Sequence, residues 1–128
     1  MALRDQIRIM VVDDMSTSRG LLVQGLEALG IRHIFIAADG VNAVNVLSKT
    51  PAHLVISDYN MPNMDGLKLL HTLRSGARTK GVGFILITGR TEHQIIDHGR
   101  KLGMNNYLKK PFDAPQLRQC IESVVGPL

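Results

Sequence analysis

Ile7-Arg8-Ile9-Met10-Val11-Val12-Asp13-Asp14 is an apolar run that stops on two carboxylates. A second run, Leu54-Val55-Ile56-Ser57, stops on Asp58. Short apolar runs bounded by polar residues read as buried strands. In a parallel sheet the ends of such strands lie side by side, so Asp13, Asp14 and Asp58 would converge on one pocket. Clustered carboxylates repel one another unless a cation lies between them. Hard oxygen donors of this kind suit Mg²⁺.

Outward from these two runs, strand and helix alternate. Further strands are predicted over 33–37, 81–88 and 105–108, and the Leu54 run extends over 53–57. Helices are predicted over 16–29, from Val41 through Leu47, over 66–74, over 91–102, and from 113 or 114 to 125. Ser16 is the expected cap of the first of these and Gly30 its stop, with Leu22, Leu26 and Leu29 on one face. Gly25 inside it is expected to allow close packing on the sheet. Phe84-Ile85-Leu86-Ile87 is unbroken apolar sequence, the mark of a strand covered on both faces. Regular alternation gives an α/β fold: a doubly wound, five-stranded parallel sheet with helices on both faces. Sites in such sheets lie at the carboxyl ends of the strands. Asp13, Asp14, Asp58, Thr88 and Lys110 all fall there.

At 128 residues the chain reads as one domain, residues 1–128, with no output domain. Its 45% hydrophobic content suffices for a core. No stretch approaches the ~20 apolar residues of a membrane span, and charges interrupt the N-terminus where a signal peptide would need an apolar run. A cytoplasmic protein with no membrane insertion is expected. Cys120 is the single cysteine, so no disulfide framework exists. The formal charge is +4, but the basic residues are scattered through the sequence without a nucleic-acid-binding motif. That argues against nucleic acid and favours an acidic protein partner. Five dispersed histidines show no transition-metal spacing.

The chemistry of the strand-end residues is phosphoryl transfer. A carboxylate such as Asp58 can attack phosphorus and form an acyl phosphate. The rest of the task is positioning and charge stabilisation. Mg²⁺ held by Asp14, Asp58 and a backbone carbonyl, with Asp13 reaching it through water, would neutralise phosphoryl oxygens. Lys110 supplies a point charge and Thr88 a hydroxyl donor. Gly89 is expected to leave room beside the site.

The segments Val11-Val12-Asp13-Asp14, 57–66 (Ser57-Asp58-Tyr59-Asn60-Met61-Pro62-Asn63-Met64-Asp65-Gly66), Thr88-Gly89 and Lys109-Lys110-Pro111-Phe112 together resemble a response-regulator receiver domain. The 58–66 loop and Tyr107 are similar to the single-domain chemotaxis regulators of that family. The resemblance implies a flavodoxin-like sheet of strand order 2-1-3-4-5. It implies Asp58 as phosphoacceptor for a chemotaxis-type histidine kinase and Mg²⁺ on Asp13, Asp14, Asp58 and the Asn60 backbone carbonyl. It assigns Lys110 to the phosphoryl group, Thr88 and Tyr107 to a conformational switch, and a cis bond to Lys110-Pro111. It also implies a monomer whose output face, the last two helices and the fifth strand, meets a partner such as the flagellar motor switch. A phosphate sink for a chemotaxis kinase, or a regulator of another cytoplasmic partner, are the alternatives. Arg90 departs from the acidic residue of the enteric chemotaxis protein and bears on the dephosphorylation rate. Asn105, Asn106 and Lys109 alter the fifth-strand edge.

Two other readings fail on residues. A haloacid-dehalogenase-like phosphatase needs a second Asp two positions after the nucleophile, where this chain has Asn60. A flavodoxin-like FMN binder could use Ser16-Thr17-Ser18 as a phosphate loop. Asp13 and Asp14 would repel that phosphate, and two Tyr and three Phe offer little to stack on the ring.

Overall fold

The computed structural model describes residues 2–89 and 92–128. In chain order the elements are α1 (Leu3–Gln6), β1 (Arg8–Val12), α2 (Ser16–Ala28), β2 (His33–Ala37), α3 (Gly40–Lys49), β3 (Leu54–Asp58), α4 (Gly66–Ser75), β4 (Gly83–Thr88), α5 (His93–Leu102), β5 (Asn106–Lys109) and α6 (Ala114–Val125). The strands form one parallel sheet of order β2-β1-β3-β4-β5. This is the doubly wound arrangement expected.

The period of two along the strands divides the core into two layers. Met10, Val12, Val55, Phe84 and Leu86 face one side, where α3, α4 and α5 pack. Ile9, Val11, Leu54, Ile56, Ile85 and Ile87 face the other, against α2 and α6. The central strands are therefore apolar through their middles, with polar residues only toward their ends, because both faces are covered. Burying each such side chain contributes about 1.5–3 kcal/mol. The edge strands β2 and β5 are only partly buried.

Three details differ from expectation. The four-residue α1 is too short to show a helical period in sequence. Ser16 is the first helical residue of α2, not its cap. The cap is Met15, which offers no side-chain oxygen, and its N–H donates instead to Asp13 Oδ1 at 3.0 Å. Gly25 serves helix against helix, not helix against sheet: a Cβ there would stand 3.1 Å from Leu117 Cδ2 of α6. Where the capping residue is unambiguous the reading holds. Asp113 begins α6 through a capping box with Gln116. Thr91, the expected start of the helix over 91–102, and Arg90, expected to bear on dephosphorylation, lie outside the described residues.

Candidate functional site

Parallel pairing carries on for one residue past the strands, and it fixes the chemistry-bearing residues there. Asp13 N–H donates to Ala37 O at 3.1 Å, Tyr59 N–H to Ile87 O at 2.9 Å, and Lys110 N–H to Thr88 O at 2.9 Å. Asp13, Asp58, Thr88 and Lys110 are thereby set at one end of adjacent strands. One ligand oxygen from each of Asp13, Asp14 and Asp58 falls within a sphere where all three lie no more than 4.8 Å apart. Asp13 is 3% exposed, Asp58 8% and Thr88 1%, whereas Asp14 is open to solvent.

Lys110 reaches across to this cluster. Its Nζ lies 2.9 Å from Asp58 Oδ1 and 3.4 Å from Ser18 Oγ, and its side chain is one-third exposed. The Lys110-Pro111 bond that follows is cis, as expected. Burial raises the Asp58 carboxyl above the ordinary carboxylate value. The Lys110 hydrogen bond and charge oppose that rise, and Asp13 and Asp14 add to it. Lys110 only partly offsets the burial and the two acidic neighbours, so a further positive charge would favour the ionised form.

The loop after Asp58 turns back at once. Gly66 N–H donates to Tyr59 O at 2.9 Å. A Cβ on Gly66 would lie 2.6 Å from Asp58 O and 2.7 Å from Leu86 Cδ1, so only glycine lets α4 start this close to the strand. Asp65 caps α4 by accepting from Lys68 N–H at 2.9 Å. Asn63 takes a left-handed φ of 69°, which asparagine tolerates better than most residues. Asn60 is an exposed loop residue two positions past Asp58.

Thr88 pairs with Lys109, and Leu86 pairs with Tyr107. Thr88 and Tyr107 thus share the face of the sheet that carries α4 and α5. Tyr107 is half-buried against the core of that layer. Gly89 does not act as expected: a Cβ there would meet nothing within 4 Å, so the space beside it does not depend on glycine.

Two partners of the site were not legible as such. Arg19 Nη1 donates to Asp13 O at 2.8 Å. Ser18 meets Lys110, one turn into α2, although the sequence marked Ser18 only within a possible phosphate loop. A cleft of about 430 Å³ opens beside Asp58 and Lys110, walled by Leu21, Leu22 and Gly25 of α2 and by Pro111, Phe112 and Leu117. Its walls come from segments some ninety residues apart, which no local pattern connects.

The model of the response regulator receiver domain matches residues 9–122. A protein of Rhizobium etli named "Probable chemotaxis protein CheY" is 39% identical over 128 residues, 100% of this chain and 99% of that one. The chemotaxis protein CheY-3 of Vibrio cholerae is 32% identical over 122 residues, 95% of this chain and 94% of its own. Among solved structures, Vibrio cholerae CheY4 superposes with a TM-score of 0.87 at 27% identity, covering 94% of this chain and 99% of that one. The receiver domain of the Pseudomonas aeruginosa sensor histidine kinase PA1611, solved with magnesium in its own active-site cleft, gives a TM-score of 0.85 at 24% identity. It covers 95% of this chain and 99% of its own, and at that identity it speaks for the fold.

Proposed function

This chain belongs to the response regulator receiver family, and from that premise we propose that Asp58 accepts a phosphoryl group from the phosphohistidine of a chemotaxis-type histidine kinase. The observation that carries this reading is the buried Asp58, paired with Lys110 at 2.9 Å inside a cluster of three carboxylates. The Asp58 carboxylate attacks phosphorus, an O–P bond forms, and the donor's N–P bond breaks with the electron pair leaving on the imidazole. On this reading Lys110 holds one phosphoryl oxygen and the Thr88 hydroxyl another.

The donor set fits a hard divalent cation. Asp13, Asp14 and Asp58 bring only carboxylate oxygens, and the Asn60 carbonyl would complete the protein ligands. When bound, Mg²⁺ supplies positive charge against the phosphoryl oxygens. Asp58 needs that charge, because Lys110 only partly offsets its burial and its acidic neighbours.

On the same reading, the output is a change at Thr88 and Tyr107. Movement of the Thr88 hydroxyl toward the phosphoryl group vacates space for the Tyr107 ring on the shared face. That alters the surface of α5, β5 and α6, where a partner such as the flagellar motor switch would bind in the cytoplasm. A modification shifts such an element only by its different interaction with the two states. A charge-assisted hydroxyl bond of roughly 1.5–3 kcal/mol is enough for such a difference. Thr88→Ala should still accept phosphate but couple it poorly to partner binding. The test compares affinity for a motor-switch peptide with and without beryllofluoride in both proteins. A full wild-type gain in Thr88→Ala would rule out this switch, and no gain in the wild type would favour the phosphate-sink role.

A further inference from the structure

Four of the fifteen basic residues come together at the amino-terminal edge of the sheet, opposite Asp58. Arg8 opens β1, Lys49 ends α3, and Arg78 and Lys80 stand in the loop before β4. Hydrogen bonds knit these segments into one surface. Arg8 Nε donates to Pro51 O at 2.9 Å, and Arg8 N–H to His53 Nδ1 at 2.9 Å. Arg78 Nη1 donates to Ser48 O at 3.2 Å, beside Lys49. Lys49, Arg78 and Lys80 are exposed and Arg8 partly so.

The segments that carry Lys49, Arg78 and Lys80 bring no carboxylate to this end. Between positions 49 and 80 the only acidic residues are Asp58 and Asp65, both at the opposite end of the sheet. Among the described residues, none of Arg8, Lys49, Arg78 and Lys80 is in an ion pair. Asp5, the nearest acid in sequence to Arg8, pairs with Arg32 at 3.7 Å. The molecule is therefore polar along its strands, acidic at the site and basic at the far end.

We propose that this basic edge docks an acidic polypeptide segment of a partner protein, independently of the state of Asp58. Charge complementarity selects a polyanion, and the surface narrows the class. Reading bases would call for an exposed aromatic platform, and among the described residues this edge has none, while backbone-only binding of duplex DNA is an outcome of the test. A membrane would call for apolar anchors beside the charges. The large exposed apolar residues Met15, Leu21, Ile36 and Val41 instead belong to the other end. Strands of five residues separate the two ends by roughly 17 Å, so a segment bound at the edge leaves the carboxylate cluster open.

The test uses the full chain and a fluorescent Glu-rich peptide, with anisotropy read from low salt up to about 0.15 M salt. Saturable binding is expected, weakened roughly tenfold in Lys49→Glu/Lys80→Glu and weakened also in Arg78→Glu. Among the described residues, neither lysine side chain makes a hydrogen bond that the double variant would break. Lys68→Glu, an exposed reversal on α4, should bind within about twofold of wild type. Absence of binding, or equal weakening in Lys68→Glu, overturns the proposal. Tighter binding to phosphatidylserine vesicles or to duplex DNA than to the peptide overturns it as well. The independence clause alone rests on Asp58 as phosphoacceptor. It is tested separately by adding Mg²⁺ and beryllofluoride, and a change in peptide affinity of more than about tenfold would overturn that clause.

Discussion

At Asp58 two effects compete, and burial wins over the Lys110 ammonium, so the carboxyl sits above its usual range. The sign of the consequence for stability is fixed by linkage. A group whose folded value is raised stabilises the protein while protonated, and that contribution is lost as pH rises through the folded value. In EDTA, Asp58→Asn should therefore be more stable than wild type at neutral pH. The advantage should shrink as pH falls through the raised value toward the ordinary carboxylate range. Melting both proteins across that range checks this, and a wild type that is the more stable at neutral pH would contradict it. Asp58 was legible in the sequence because an apolar run ends on it. Its pairing with Lys110 was legible only through the motif, since fifty-two positions separate them.

Among the elements, the passage from β3 to α4 is the most tightly constrained. Gly66 has the Asp58 carbonyl and Leu86 where any side chain would begin. Gly66→Ala should cost about 1–3 kcal/mol and displace Asp58, lowering its phosphorylation rate. Urea denaturation and phosphorylation kinetics on the same variant would check both effects. Wild-type stability would mean that the loop yields freely. Helix and strand order could be read directly, because central strands buried on both faces are apolar through their middles. Helix starts were less secure. Asp113 announces α6 because its carboxylate is the cap, but Ser16 misleads because the backbone of α2 begins one residue earlier and Asp13 serves it. The α2–α6 cleft was invisible in sequence, as its walls meet only after the chain has wound across the sheet.

Across the whole molecule, charge is sorted along the strand axis, which the net value of +4 conceals. At the acidic end, a divalent cation that binds only the folded state should raise stability by about 2.7 kcal/mol at a hundredfold excess over Kd. Asp14→Ala should abolish most of the Mg²⁺-induced rise in melting temperature, and an unchanged rise would place the ion elsewhere. The central claim is that this end exists to place a phosphoryl group on Asp58. It is tested most directly by incubating wild type, Asp58→Asn and Lys110→Ala with a small phosphodonor, with and without Mg²⁺, and locating any acid-labile phosphoryl group by peptide mapping. The account predicts Mg²⁺-dependent incorporation at Asp58 in wild type, slower incorporation in Lys110→Ala, and none in a folded Asp58→Asn. Incorporation into Asp58→Asn at the wild-type rate would contradict it.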